Sequence, residues 1–121
     1  MGYHLVPRDV AAKRQINEDW GSLTWIAGKA LGNSQGLTFG RVVIKPGKAN
    51  PRHAHPNCDE VLHLLTGRLE HSIGDDKVAM NAGDTLIVPA GCVHNAANPG
   101  PGDAEMIVAY SSGERQFQPE R

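Results

Sequence analysis

The chain has 121 residues, enough for one domain of ordinary size with a single hydrophobic core. Hydrophobic residues make up 40% and charged residues 21% of the chain, a balance that is typical of globular proteins and excludes a disordered chain. The net charge of -1, from 12 Lys plus Arg against 13 Asp plus Glu, gives no basic surface for nucleic acid or an anionic membrane. We therefore expect neither of these partners.

Residues 10–19 have apolar residues at helical spacing, and Gly21 follows them, which predicts a short N-terminal helix or turn. The rest of the chain consists of short segments rich in Val, Ile, Leu and Thr, separated by glycines and prolines, and this pattern is typical of strands. Strands at this spacing predict an all-β sandwich or barrel. The predicted strands are 22–27, 37–44, 60–65, 68–73, 77–80, 84–88 and 104–110.

Two of the connections have clear signals. Gly74, Asp75 and Asp76 predict a hairpin turn, because Gly and Asp tolerate a positive φ. Residues 99–103, which contain two prolines and two glycines, predict a loop before the last strand. The polar tail 111–121 is expected to be loosely held.

The sequence shows no targeting signal and no cysteine motif that would indicate a function. No apolar run approaches the roughly 20 residues that span a bilayer, and the first residues lack the apolar stretch of a signal peptide, so we expect a cytoplasmic protein. Cys58 and Cys92 are too few for a disulfide scaffold and lack C-x-x-C spacing. We interpret them as free thiols, with one bridge between them left open.

Six histidines direct the search for function toward metal chemistry, since imidazole is the commonest metal ligand. His53 and His55 are two residues apart, so on a strand both project from one face. Glu60 follows a turn-like segment, and His94 comes just after another turn at residues 89–91. Three histidines and one carboxylate suit a divalent Fe, Mn, Co, Ni, Cu or Zn ion better than calcium.

The strand that begins at Glu60 predicts the surroundings of such a site. If Glu60 points inward, the period of two also turns Leu62 and Leu64 inward and His63 outward. Leu62, Leu64 and either Ile87 or Val88 would then give the ion an apolar surround.

Ten positions resemble the two sequence motifs of the cupin superfamily. The first motif is Gly47, five residues, His53-x-His55, four residues, Glu60, six residues and Gly67; the second is Gly83, five residues, Pro89-x-Gly91, two residues, His94, three residues and Asn98. Together they occupy residues 47–67 and 83–98, with the family's spacing throughout.

The resemblance implies a cupin fold, a double-stranded β-helix or jelly-roll barrel of two antiparallel sheets, in one domain over residues 1–121 with a short N-terminal extension. It also implies one divalent metal ion per chain, held by His53, His55, Glu60 and His94, and a homodimer that exchanges N-terminal strands. The motif glycines are expected at strand ends, where turns need a permissive backbone.

Other polar and aromatic residues have weaker signals. We interpret His4, His63 and His71 as solvated or core-edge histidines, and Trp20 and Trp25 as core residues rather than walls of a ligand pocket.

Three polar residues are candidates for the substrate pocket. Arg41 shares one strand face with Val43 and Lys45, and would clamp an anionic substrate if that face lined the barrel. The sequence leaves open whether this face points inward or outward. Cys92 and Asn95 flank His94 and are candidates for the open side of the metal.

Four protein ligands leave one or two positions on a five- or six-coordinate ion for a small molecule. The first hypothesis is therefore a metal-dependent enzyme that acts on a small organic molecule, with a dioxygenase narrowly favoured over a lyase, isomerase or decarboxylase. The second is a cupin that binds or senses a small molecule without turnover, because no further inward acid or base stands out from the sequence.

Overall fold

The computed structural model describes residues 2–120, so Met1 and Arg121, which belong to the predicted N-terminal extension and tail, lie outside the described residues. Helical structure is confined to α1 (Arg8–Ala12) and a 3-10 turn (Lys29–Leu31), within residues 2–120. No helix in that range is long or apolar enough to cross a membrane. The strands are β1 (Ile16–Glu18), β2 (Gly21–Ala27), β3 (Thr38–Ile44), β4 (His53–Ala54), β5 (Glu60–Thr66), β6 (Arg68–Ile73), β7 (Asp76–Asn81), β8 (Thr85–Val88), β9 (His94–Ala97), β10 (Ala104–Tyr110) and β11 (Gln118–Pro119).

The strands form two sheets, with the orders β1-β2-β3-β10-β5-β8 and β11-β4-β9-β6-β7. The pairings within both sheets are antiparallel. The two sheets face each other as a jelly-roll barrel, and this confirms the predicted fold class. All seven predicted strands match observed elements to within one residue at each end, namely β2, β3, β5, β6, β7, β8 and β10.

Side chains alternate across each strand and determine which residues fill the space between the sheets. On β5, Glu60, Leu62 and Leu64 are buried, while Val61 is exposed and His63 is partly exposed, as the period of two predicts. Leu64 is fully buried, so truncating it to alanine is expected to cost about 2–5 kcal/mol of unfolding free energy.

The motif glycines lie in turns, as predicted. Gly47, Gly67, Gly83 and Gly91 have φ values of 77°, 83°, 96° and 80°, in the left-handed region that residues with a Cβ rarely adopt. Gly67 also has no room for a side chain, because a Cβ there would lie 2.5 Å from the carbonyl oxygen of Asp103.

A short N-terminal helix is present, as predicted, but it does not extend over residues 10–19. The helix is α1, which buries only Ala11, and Ile16–Glu18 instead forms the edge strand β1, with Ile16 opposite Leu23 of β2. An isolated short helix is marginal in water, so pairing with an existing sheet edge is the more stable arrangement for this segment.

The prediction that the tail from residue 111 is loosely held is wrong. β11 pairs with β4, with Gln118 opposite Ala54 and Pro119 opposite His53. The side chain of Arg52 then forms an ion pair with Glu120, with Nε 3.0 Å from Oε1. Residues 111–120 are therefore part of the barrel, and they lie beside two of the predicted metal ligands.

Candidate metal centre

Two turns and two short strands bring the three motif histidines together. His53 begins β4, His55 directly follows that strand, and His94 begins β9. β4 and β9 are paired, with His53 directly opposite His94, so their side chains leave the sheet on the same face. The ring nitrogens that these three histidines offer lie within 4.8 Å of one another.

Each of the three imidazoles is fixed through its Nδ1 atom, which contacts a backbone carbonyl oxygen. A carbonyl only accepts hydrogen bonds, so the proton of the neutral ring lies on Nδ1 and the lone pair on Nε2. This arrangement orients histidines toward a metal in proteins. The contacts are His53 with Pro51 at 2.7 Å, His55 with Gln116 at 2.8 Å and His94 with Cys92 at 2.9 Å.

Burial supports the neutral form of two of these rings. Burial lowers the pKa of His53 to about 4 and also lowers the pKa of His55. The Nε2 atom of His55 is buried and has no hydrogen-bond partner among residues 2–120, which is costly unless a further group binds there. The three histidines thus present nitrogen donors of the kind that transition metals bind.

Glu60 lies at the edge of this cluster. Its Oε1 atom is 2.8 Å from Nε2 of His94 and 3.6 Å from Nε2 of His55, and its Oε2 atom accepts a hydrogen bond of 2.9 Å from the Tyr110 hydroxyl. Burial alone would raise the pKa of Glu60, but His94, His55 and Tyr110 together lower it. Glu60 is therefore a buried carboxylate beside the imidazoles.

Glu60 also affects the charge of its neighbour. Burial is the largest single influence and lowers the pKa of His94, but the hydrogen bond to Glu60, the negative charge of Glu60 and the hydrogen bond to the Cys92 carbonyl together outweigh it and raise that pKa. An ion bound between these two side chains would replace the proton that they share, since a ligating imidazole must present its lone pair.

The cluster lines a cavity of about 180 Å³ between the sheets. Leu62 lines this cavity, as predicted, and so do Trp20 and Trp25. Both indoles also pack against the hydrophobic core, as expected, so they belong to the core and to the cavity wall together. Four further apolar side chains complete that wall: Leu23, Val42, Met106 and Val108.

The structure does not bring Arg41 to the cavity. Val42 and Ile44 are buried and Arg41 is exposed, so the face that carries Arg41, Val43 and Lys45 points outward. There the guanidinium of Arg41 forms an ion pair of 2.7 Å with Glu105 of the neighbouring strand.

Three other candidates for the pocket also lie elsewhere. Leu64 belongs to the hydrophobic core and does not line the cavity. Asn95 is directed toward Asn50 and Ser72, with Nδ2 donating to the carbonyl of Asn50 at 2.8 Å and Oδ1 bonded to the Ser72 hydroxyl. Cys92 is partly buried, and it and Cys58 are free thiols.

The sequence also predicts that either Ile87 or Val88 contributes to the apolar surround of the site. Val88 is buried, but Ile87 is 65% exposed, and neither of them lines the cavity. The apolar surround of the site therefore comes from β2, β3, β10 and Leu62 of β5, and not from β8.

His71 was missed as a cavity residue. The residue is 1% exposed and lines the cavity, so the interpretation of it as a solvated or core-edge histidine is wrong. Its ring is stacked on that of His94, with centroids 5.6 Å apart and an interplanar angle of 14°. Neither ring nitrogen has a hydrogen-bond partner among the described residues, and burial lowers its pKa to about 4.

The period of two along β6 is the signal that could have found His71, because it places this residue on the same inward face as Leu69. The other two histidines set aside from the sequence are indeed away from the site. His4 is exposed, and Nδ1 of His63 contacts the Thr85 hydroxyl at 2.8 Å.

Arg115 and Phe117, in the segment expected to be loose, were also missed. Both line the cavity. The ring of Phe117 is stacked on that of His53, with centroids 4.7 Å apart. The carbonyl of Gln116, between them, contacts His55. No local sequence pattern indicates this placement, which depends on the pairing of β11 with β4.

A jelly-roll barrel with three converging histidines inside defines a class of metal-binding β-barrel proteins. A family model described as "Cupin domain" matches residues 40–110, more than half of the chain. The chain therefore belongs to the cupin family, as its motifs indicated.

Named relatives are similar over part of their length. Germin-like protein 3-8 of Oryza sativa subsp. japonica is 36% identical over 86 residues, which cover 66% of this chain and 38% of that protein. Oxalate oxidase 2 of Hordeum vulgare is 32% identical over 88 residues, which cover 66% and 39%. A solved structure of an oxalate oxidase matches with a TM-score of 0.75 and 26% identity, over 84% of this chain and 56% of that one. The chain thus spans about two fifths of the length of these curated relatives.

Proposed function

We propose that this cupin is a metal-dependent enzyme of the dioxygenase type that acts on a small organic molecule inside the barrel. The observation that carries the proposal is the set of three imidazoles on the cavity wall, each with Nδ1 bonded to a backbone carbonyl, and with Nε2 of His94 beside the Glu60 carboxylate. In a dioxygenase reaction, dioxygen oxidises the organic substrate and both of its oxygen atoms enter the product.

His53, His55, Glu60 and His94 would hold one divalent transition metal ion. Bound there, such an ion supplies Lewis-acid and redox chemistry at its open coordination positions. The protein's own contribution is orientation: three carbonyl groups fix the imidazoles, and the Tyr110 hydroxyl fixes the Glu60 carboxylate at 2.9 Å.

The cavity wall supports chemistry with dioxygen on an organic molecule. The indoles of Trp20 and Trp25 and side chains of β3 and β10 offer an apolar surface beside the histidines. Similarity to a barley protein named as an oxalate oxidase also supports an oxidation of a small organic substrate.

His71 argues for catalysis over binding without turnover. The binding hypothesis depended on the absence of a further inward acid or base, and His71 is a buried imidazole on the cavity wall with both ring nitrogens unpartnered within the described chain. A neutral imidazole has one donor and one acceptor, so His71 can bond an oxygen of a molecule held beside His94.

Oxygen consumption tests the proposal. The iron, nickel and copper forms would be assayed with a panel of enolic and catecholic compounds, with the His94→Ala variant as the control. We expect uptake by at least one metal form with at least one compound, and none by the variant. If no combination consumes oxygen, the dioxygenase assignment is wrong, and product analysis would then test for lyase, isomerase or decarboxylase activity.

We also propose a homodimer in the cytoplasm. Residues 2–7 precede α1 without regular structure, and their side chains Tyr3 and Leu5 are 93% and 82% exposed, which suits an N-terminal segment that packs on a second copy. Light scattering coupled to size-exclusion chromatography is expected to give the mass of two chains, and the mass of one chain would contradict the dimer.

A further inference from the structure

Arg115 lies at the cavity among three aromatic rings. Its guanidinium carbon is 4.3 Å from the ring centroid of Trp25, 5.3 Å from that of Tyr110 and 5.7 Å from that of Phe117. Aromatic faces attract a guanidinium at these distances and hold its plane in place. A glycine helps to set this geometry: a Cβ on Gly40 would lie 2.6 Å from the indole of Trp25, so the indole can lie close against β3.

Arg115 forms no ion pair or side-chain hydrogen bond within the described part of the chain, whereas other cations there have carboxylate partners. Lys29, Arg41 and Arg52 pair with Glu114, Glu105 and Glu120. The pairing of Lys29 with Glu114 also engages the acidic residue that precedes Arg115. Arg115 thus lines the cavity with a guanidinium that no carboxylate of the described chain pairs with.

The two carboxylates that border the cavity do not neutralise Arg115. Glu60 is already bonded to His94 and Tyr110. Glu18 is an exposed residue of the edge strand β1 and forms no ion pair with Arg115 in the described chain. A ligand with a negative group would thus be the natural partner of this cation.

We propose that Arg115 forms an anion-binding subsite of the cavity, and that the ligand is a small planar organic carboxylate. The carboxylate would accept two parallel hydrogen bonds from the guanidinium, a geometry that suits arginine. The body of the ligand would pack against Trp25 and Phe117 and extend toward the histidines. As a statement about the substrate of the enzyme, this inference rests on the proposed function.

The subsite belongs to a part of the chain that the family match does not cover. The match ends at residue 110, and Arg115 and Phe117 lie in the tail that β11 anchors to β4. Membership of the family therefore does not by itself give this ligand class. The tail would instead determine the ligand class, through the side chain of Arg115.

Calorimetry with paired probes tests the subsite. The probes are benzoate with benzamide and propanoate with propanamide, since each pair differs in charge and little in shape. Wild-type protein, purified as it exists and also loaded with zinc, is expected to bind at least one carboxylate about 10-fold or more tighter than its amide.

Three variants separate the subsite from other causes. Arg115→Met keeps an apolar stem over Trp25 and is expected to lose most of the preference for the carboxylate. Arg115→Lys keeps the charge without the planar fork and is expected to retain part of it. Arg41→Met removes an exposed cation on the outer face and is expected to change nothing. Thermal melting of each variant establishes that it is folded.

Two results would overturn the inference. In the first, wild-type protein binds neither carboxylate more tightly than its amide. In the second, a folded Arg115→Met variant keeps the full preference, which would assign the anion to another group. Failure of the proposed function has a different signature: no metal or oxygen uptake is found, while carboxylate binding still depends on Arg115.

Discussion

Replacing Tyr110 with phenylalanine tests whether the Tyr110 hydroxyl stabilises the buried carboxylate of Glu60. The Tyr110 side chain is 4% exposed, and its hydroxyl donates a 2.9 Å hydrogen bond to Oε2 of Glu60, which is itself 4% exposed. The variant keeps the aromatic ring and removes the hydroxyl, so the buried Oε2 atom of Glu60 loses its hydrogen bond from Tyr110. Hydrogen bonds to charged groups contribute about 1.5–3 kcal/mol, so we expect the free energy of unfolding at pH 7 to fall by about 2 kcal/mol.

The assay is urea unfolding in the presence of a chelator, so that metal binding does not contribute to the stability. Tyr3→Phe is the matched control, because Tyr3 is 93% exposed and its hydroxyl is accessible to water. We expect less than about 0.5 kcal/mol for this control. After loading with zinc, Tyr110→Phe is also expected to lower metal affinity by about 10- to 100-fold. A Tyr110→Phe variant as stable as wild type, with unchanged metal affinity, would refute the reasoning on Glu60.

Three further changes test other parts of the structure. His71→Phe removes two unpartnered buried nitrogens, so we expect equal or greater stability in urea, with metal content retained. Oxygen uptake is expected to be at least about 10-fold slower. Unchanged oxygen uptake would exclude the proposed hydrogen bond from His71 to the substrate. Truncation after Gly113 removes the Gln116 carbonyl, which contacts Nδ1 of His55. We expect this truncation to weaken zinc binding about 10- to 100-fold while circular dichroism still shows the β fold. A truncated protein with wild-type zinc affinity would contradict this expectation. Gly67→Ala is expected to cost more than about 2 kcal/mol in urea, because its Cβ would meet the carbonyl of Asp103, whereas Gly47→Ala, with no atom within 4 Å of the Cβ, is expected to cost about 1 kcal/mol. Equal costs would contradict the steric argument.

The sequence predicts the parts of this barrel that depend on local periodicity. The alternation along β5 turns Glu60, Leu62 and Leu64 inward, and the turn glycines have the backbone conformations that their positions suggest. The two-residue spacing of His53 and His55 places them close together, and the motifs indicate that His94 joins them, although His94 reaches the other two only because β9 pairs with β4.

The parts that the sequence does not predict depend on contacts between distant segments. Arg115 and Phe117 reach the cavity because β11 pairs with β4, which is far away in the chain. His71 is a diagonal neighbour of His94, because β6 pairs with β9 in a register that places His71 opposite Ala96. The outward direction of Arg41 is likewise determined by which face of β3 packs on the opposite sheet, and either face is compatible with its local pattern.

Metal stoichiometry tests the central claim most directly. Protein purified without a histidine tag, freed of metal and reloaded, would be measured by elemental analysis beside the His94→Ala variant. The proposed site predicts about one transition metal ion per chain for wild type and a large loss for the variant, with circular dichroism unchanged. Wild-type protein that binds no transition metal after reloading, or a variant that keeps the full content, would contradict the assignment of these histidines as metal ligands.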